Sequence, residues 1–482
     1  MDRLLSSSGE SFCLFIPGFV GNITKWLEEA QRDHGEALKR AFKEYTPILI
    51  VSYGNLIPLN NKTIKKQDEK TRYKNILSYA FEKWKDETES LEGICQIMLD
   101  SGGFQIVVGR ISKDEVPLLM ETYYSFVKTL NETESHKLHS FFFLDVQLYN
   151  SFGVCMEREM VKFNLESVER LFSLGLNKDE DLWKKLIFIV HPTSTVKFKI
   201  WERVVDKLFE KCQTLEALPR RYAVGGIAVN PSRQKESVVL FWVYGLIYLL
   251  WSFLKRGVPL EFFSGVHFHV LGLLSLHFIV GVNMVAYYLQ RKYGVVLNFS
   301  FDGTAAVSKV FRARRMGFVD PKTLCYKEIS LKSKDLGNPV QVGSSLTSET
   351  YFYKIINELW ESVGYVPSKE YTTVYNNKTE TFHKEVIPWV FFLDPYFHQT
   401  YFKRFFDVAR EVVDRYIESG NTSRIWEIVN SVCSESSLDH KKLIFRQLST
   451  VFKIIDEVIE NPKNYDFETN MLMKFYGISE AE

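Results

Sequence analysis

The sequence predicts an α/β fold: a (β/α)8 TIM-like barrel over residues 1–339 and a C-terminal helical domain over residues 340–482. Three observations predict it. Short, near-continuous apolar runs alternate with amphipathic stretches, the pattern of a parallel sheet covered by helices. Acids, a histidine and glycines sit where several of these runs end, as they would if strand ends met on one face of a barrel. After Asp320-Pro321 the alternation gives way to apolar residues at helical spacing.

The runs are Cys13 to Ile16, Pro47 to Val51, Ile94 to Leu99, Ser140 to Leu144, Leu186 to Val190, Tyr222 to Val229, Val266 to Leu271 and Val295 to Phe301. Each is long enough for a strand and too short for a typical helix. Between them, Lys25 to Tyr45, Lys74 to Lys85, Glu115 to Leu130, Met156 to Leu174, Thr195 to Leu215 and Lys235 to Leu254 read as amphipathic or buried helices. Eight such units suit a closed barrel. An open doubly wound sheet is the alternative, but no Gly-x-Gly-x-x-Gly opens a helix to support it. In the tail, Thr347 to Val363, Tyr401 to Glu418, Arg424 to Val432 and His440 to Ile459 read as helices, and only Tyr371 to Phe382 alternates like a strand. Asn55 to Lys74, with Lys62, Lys65, Lys66, Lys70 and Lys74, reads as a solvated loop.

Composition narrows the class. Of 482 residues, 46% are hydrophobic and 25% charged, ordinary for a globular protein and enough for a barrel-sized core plus a second unit. The formal net charge is +1, so any nucleic-acid surface must be a local patch. Six scattered cysteines without Cys-x-x-Cys spacing indicate reduced thiols and a cytoplasmic protein, with no signal peptide expected. Val238 to Leu254 is nearly all apolar, but it falls short of the roughly 20 residues a spanning helix needs. The next apolar region is broken by His267, His269 and His277, so a buried helix and a buried strand are expected rather than a membrane hairpin.

The most informative segment is Leu99-Asp100-Ser101-Gly102-Gly103-Phe104-Gln105, an apolar run that delivers a carboxylate into a glycine turn. Glycines take positive φ and let backbone approach a ligand closely. Asp145 and Asp302 also follow apolar runs, as does His191; Gly225 and Gly226 lie within one, and Gly272 follows one. Acids at three separate strand ends are hard to explain by packing. Asp100 and Asp302 are the pair suited to glycosyl exchange, which needs a nucleophile at C1′ and an acid for the departing base. Retaining glycoside chemistry sets two such carboxyl groups about 5–5.5 Å apart.

The first of these segments resembles the Asp-Ser-Gly-Gly-Phe-Gln signature of the guanine transglycosylases, which exchange a guanine in a nucleic acid for a 7-deazaguanine. Phe301-Asp302-Gly303, Phe143-Leu144-Asp145, Val224-Gly225-Gly226-Ile227-Ala228-Val229 and Phe268-His269-Val270-Leu271-Gly272 are similar to further family segments, in the family's order, over residues 90–310. The resemblance implies that Asp302 is the covalent nucleophile and Asp100 the general acid/base. It implies base recognition by Ser101, Gly102, Gly103, Phe104, Gln105, Asp145, Gly225, Gly226, Ile227, Leu271 and Gly272. His191 stands near where the family has a purine-binding glutamine. Only Cys325 and Cys433 follow Asp302, so the family's usual zinc ligands are missing and no cofactor or metal is expected.

These departures resemble the DNA-modifying branch, often virus-encoded, whose members insert 7-deazaguanines into genomes. The implied partners are DNA and a free 7-deazaguanine base such as a preQ0-type precursor, in a host cytoplasm if virus-encoded, with a homodimer admitted. Exchange on tRNA is the nearest alternative, and a non-catalytic partner subunit the next. Lys309, Arg312, Arg314 and Arg315, with no intervening acid, are the expected phosphate contacts, read as sharing a helix face.

Overall fold

The computed structural model describes residues 13–17, 35–58, 67–107, 109–150, 154–192, 195–224, 241–271, 276–303, 315–319, 326–330, 357–366, 374–376, 380–383, 386–433 and 438–473. The predicted strands form where the apolar runs lie: β1 Cys13–Pro17, β2 Ile48–Ser52, β3 Gln96–Asp100, β4 Leu138–Phe142, β5 Leu186–Val190, β6 Arg221–Val224, β7 His267–Val270 and β8 Asn298–Gly303. They make one parallel sheet in the order β1-β8-β7-β6-β5-β4-β3-β2. Strands β2 to β8 form a continuous arc of seven, and β1 adds beside β8. Among the described residues no ladder joins β1 to β2, so the hydrogen-bonded ring of a closed eight-stranded barrel is not complete.

The arc is strongly curled. Strands β4 and β7 are separated by β5 and β6, which would put them about 14 Å apart in a flat sheet. Yet the rings of Phe142 on β4 and His269 on β7 meet at 5.2 Å. Alternation divides the strand residues between two faces. Leu49, Leu99, Phe141, Phe188, Tyr222, Phe268 and Phe299 join the large core under the helices. Ile48, Ile50, Met98, Phe142, Ile187, Ile189 and Ala223 form a second, small cluster on the inner face.

Helices follow the strands as their patterning dictates. Helix Glu69–Thr88 is started by Asp68, whose carboxylate accepts from the Thr71 amide at 3.0 Å, so the lysine-rich segment is helical from Glu69 rather than loop throughout. Helix Val116–Glu134 follows a Ser112/Glu115 capping box. The long apolar run becomes helix Phe241–Lys255, whose described side chains are mostly buried, and among the described residues no helix is long and apolar enough to cross a membrane.

The tail contains helices Val386–Ser419, Ser423–Val432 and Leu438–Glu460. They pack on helix Leu276–Tyr293 through a Tyr288–Phe452 ring stack at 4.4 Å, and the Tyr288 and Tyr293 hydroxyls both donate to Asp456. Apolar residues of these helices belong to the same continuous core as the helices around the sheet. Two hairpins interrupt the helical texture. One, β11 Val374–Asn376 with β12 Glu380–His383, falls in the alternating stretch Tyr371 to Phe382. The other, β9 Arg315–Val319 with β10 Tyr326–Ser330, was not expected from the sequence. Arg315 therefore opens a strand rather than sharing a helix face with Lys309, Arg312 and Arg314, which lie outside the described residues.

Candidate active site

Asp100 is the last residue of β3 and stands in register with Ser52, the last of β2. The Ser52 hydroxyl donates to Asp100 Oδ2 at 2.7 Å, and the Gly102 amide donates to the same oxygen at 3.2 Å. That amide can turn back because Gly102 sits at φ +84°, where side chains are strained. A Cβ there would also come within 2.7 Å of the Gly54 nitrogen. Burial pushes the Asp100 carboxyl up to about 6 against the lowering effect of Ser52; the charges of Asp145 and Asp302 push the same way as burial. A carboxyl that holds a proton near neutrality is suited to general acid/base work.

Asp145 lies just past β4 on a segment that is neither helix nor strand, so its backbone needs other partners. Neighbouring helices supply them. The Tyr124 hydroxyl accepts from the Leu144 amide, and Ser167 donates to the Leu144 carbonyl at 2.8 Å. The Asn164 amide group accepts from the Val146 amide at 2.9 Å and donates to the Val146 carbonyl at 2.8 Å. This clamp fixes the carboxylate. His191, which follows β5, holds Asp145 Oδ2 through Nε2 at 2.7 Å, and the Gln147 amide donates to the same oxygen at 3.3 Å. Burial acts upward on Asp145, but His191 and the hydrogen bonds outweigh it, and the carboxyl lies below its ordinary range. His191 Nδ1 is buried with no hydrogen-bond partner among the described residues.

Gly103 makes the two segments fit. A Cβ at this position would sit 2.7 Å from the Asp145 carbonyl oxygen and 3.0 Å from its Oδ1. Gly103→Ala is therefore expected to fold but to displace the Asp145 segment, at a cost of about 1–3 kcal/mol of stability, because the added methyl meets a backbone oxygen that cannot swing away. Thermal melts of the two proteins check this; an unchanged melting temperature would show that the Gly103–Asp145 contact does not matter.

Asp302 lies near the end of β8, in register with Ile16 of β1. His269 Nε2 approaches its Oδ1 at 3.5 Å. The other anticipated residues divide. Ser101 is buried and accepts weakly from the Gly103 amide at 3.4 Å. Gln105 bridges loops, donating to Asn55 at 3.1 Å and accepting from Arg110 at 3.2 Å. Phe104 lies in the short helix Gly103–Val107, and Leu271 packs on the inner cluster just beyond β7. Gly225, Gly226, Ile227 and Gly272 lie outside the described residues.

Three participants were not anticipated: Ser52, Gln147 and His269. The signal for His269 was present, because His267-Phe268-His269 and Asn298-Phe299-Ser300-Phe301-Asp302 alternate polar and aromatic residues. Period-two alternation in a strand covered by helices marks a polar inner face. Among the described residues no group of three or more histidines, cysteines and acids is placed to hold a metal ion. Burial pushes the Cys433 thiol up to about 12, away from the thiolate a metal requires. Cys325 lies outside the described residues.

The two carboxylates at strand ends can divide nucleophilic and proton-transfer roles, and Asp145 with His191 offers an acceptor and a ring nitrogen to a flat heterocycle. No known family model matches this chain, and no curated protein does.

Proposed function

We propose that the chain is a DNA-guanine transglycosylase built on a (β/α)8-type barrel. The observation that carries this reading is the pairing of roles at the strand ends: Asp100, a carboxyl raised to about 6, on β3, and Asp302 on β8, close enough for its charge to act on Asp100. The motif resemblance supports the same assignment of roles.

In this reading Asp302 attacks C1′ of the deoxyribose as the C1′–N9 bond breaks, giving an ester between sugar and enzyme. Asp100 gives its proton to the departing guanine. A 7-deazaguanine base then enters, Asp100 takes the proton from its ring nitrogen, and that nitrogen displaces Asp302 from C1′. Atoms balance, and no oxidant or metal is called for. Asp145 accepts from the amidine edge of the base. With His191 Nε2–H given to Asp145, Nδ1 is left to meet the base carbonyl, which it can do as donor in the imidazolium form.

A pocket at strand ends cannot reach C1′ inside a stacked duplex. The target guanine must be flipped or single-stranded, at a cost of a few kcal/mol. Neutralising backbone charge is the sequence-independent way to hold the polymer, so binding should weaken steeply with salt. Lys309, Arg312, Arg314 and Arg315 supply part of that contact, and their neutral replacements should weaken binding across sequences rather than change the base chosen. Exchange of radiolabelled guanine, run side by side on DNA and tRNA, tests the substrate. Release of label from DNA is expected; exchange confined to tRNA would reverse the assignment, and none from either would remove the enzyme reading.

A further inference from the structure

The inner face of β7 and β8 carries a polar column where a barrel interior is ordinarily filled with branched apolar side chains. Its members are His267, Ser300, His269 and Asp302. The Ser300 hydroxyl lies 2.7 Å from His267 Nε2 and 2.7 Å from His269 Nδ1. His269 is fully buried, its Nε2 has no hydrogen-bond partner among the described residues, and Asp302 Oδ1 stands 3.5 Å from it.

Proton counting limits what Nε2 can carry. A serine hydroxyl has one proton, so it donates to one histidine and accepts from the other. Suppose His267 donates to Ser300. Ser300 then donates to His269 Nδ1, and the neutral His269 ring keeps its proton on Nε2. Suppose instead that His269 Nδ1–H donates to Ser300. A bare Nε2 would then face Asp302 Oδ1 with no donor on its own side. The first chain puts an N–H on the side of Asp302, and the geometry favours it because it gives the buried Nε2 an acceptor 3.5 Å away. A distance of 3.5 Å is long for a hydrogen bond, and catalytic contacts of this kind commonly tighten when substrate binds.

We infer that His269 is a positioning residue for Asp302, donating from Nε2 to Oδ1 so that the other carboxylate oxygen is the one presented to C1′, with Ser300 and His267 setting the ring's tautomer. This rests on the reading of Asp302 as nucleophile. A donor on Oδ1 both orients the attacking carboxylate and stabilises it as a leaving group in the second half of the exchange.

The test uses the full chain, guanine-containing DNA and tRNA, and four enzymes: wild type, His269→Leu, His269→Gln and Ser300→Ala. Glutamine places an amide donor near the position of Nε2; leucine fills the volume without one. The rate of covalent adduct formation is measured in single turnover, with kcat and KM alongside. His269→Leu is expected to lose 10–100-fold in adduct formation and kcat with KM within about twofold, as one positioning hydrogen bond predicts. His269→Gln should recover most of that loss, and Ser300→Ala should fall between. Equal losses in the glutamine and leucine variants, or adduct formation at the wild-type rate in soluble His269→Leu, would overturn the inference and leave the nucleophile reading standing. If His269→Leu fails to fold, Gln and Ala decide: wild-type rates in Ser300→Ala with no recovery in His269→Gln overturn it. Absence of any adduct from the wild type on either nucleic acid would remove the nucleophile reading, and this inference with it.

Discussion

Asp302→Asn is expected to abolish base exchange, by at least about 10³-fold, and with it every covalent enzyme–nucleic acid adduct. The amide keeps the size of the side chain and its place on β8, so the fold should survive. In the proposed reaction it removes the anionic oxygen that would bond to C1′, because an amide is a poor nucleophile. Asp302→Ala should be equally inactive for the same reason. Denaturing gel shifts and intact mass spectrometry of quenched reactions read the adduct directly, and the protein mass shows that the asparagine has not deamidated. An active Asp302→Asn of the correct mass would take the nucleophile role away from this residue. It would also leave the charge beside Asp100 as the main contribution of Asp302.

Much of the strand framework was legible because each strand is a short apolar run bounded by turn residues. Runs such as Leu186 to Val190 need only periodicity and length to be read. The acids were legible because a carboxylate at the end of such a run has no packing reason to be there. Closure of the ring was not, because it depends on how β1 and β2 meet, and no local pattern encodes the pairing of two edges.

The hairpin Arg315–Val319 with Tyr326–Ser330 was missed for a related reason. Its first strand begins inside a basic run, and the arginines overrode the weaker apolar alternation. The tail helices were legible in part, since the one read as Tyr401 to Glu418 begins at Val386, and their role was not legible. Helix Leu438–Glu460 shows helical spacing in the sequence; that Phe452 stacks on Tyr288 is a long-range contact, visible only in the fold.

The polar half of the candidate site divides in the same way. Asp100, Asp145 and His191 could be picked out singly, yet nothing in their spacing says that His191 would grip Asp145 at 2.7 Å. The clamp by Tyr124, Asn164 and Ser167 was equally hidden. Each of these residues looks like a polar break on an amphipathic helix. Only the position of the segment after β4, whose backbone groups would otherwise be orphaned, gives them their use.

Asp100→Asn carries the second large effect, and it separates stability from activity. The wild-type carboxyl sits near 6 in the folded protein, above the ordinary value of about 4 in an unfolded chain. Between those values the folded state binds more protons than the unfolded one. Stability is therefore lost as pH rises from about 4 to about 6, and above 6 the protein carries a partly buried charge that it tolerates at a cost. A shift of two units corresponds to at most about 3 kcal/mol, and solvent reaching the partly exposed carboxyl reduces this to about 1 kcal/mol. Asparagine is neutral at every pH and escapes that cost, while its carbonyl can still accept from Ser52 or Gly102. Asp100→Asn should melt at a higher temperature than the wild type at pH 8, and at an equal or lower one at pH 4.5. Its exchange activity should nonetheless fall by about 10²–10⁴-fold, because an amide can neither give a proton to the departing guanine nor take one from the incoming base. Paired melts at the two pH values and a labelled-guanine assay at pH 8 check both halves. Turnover at the wild-type rate would end the acid/base role of Asp100. A variant less stable than the wild type at pH 8 would mean that the hydrogen bonds from Ser52 and Gly102 to the carboxylate are worth more than its burial costs.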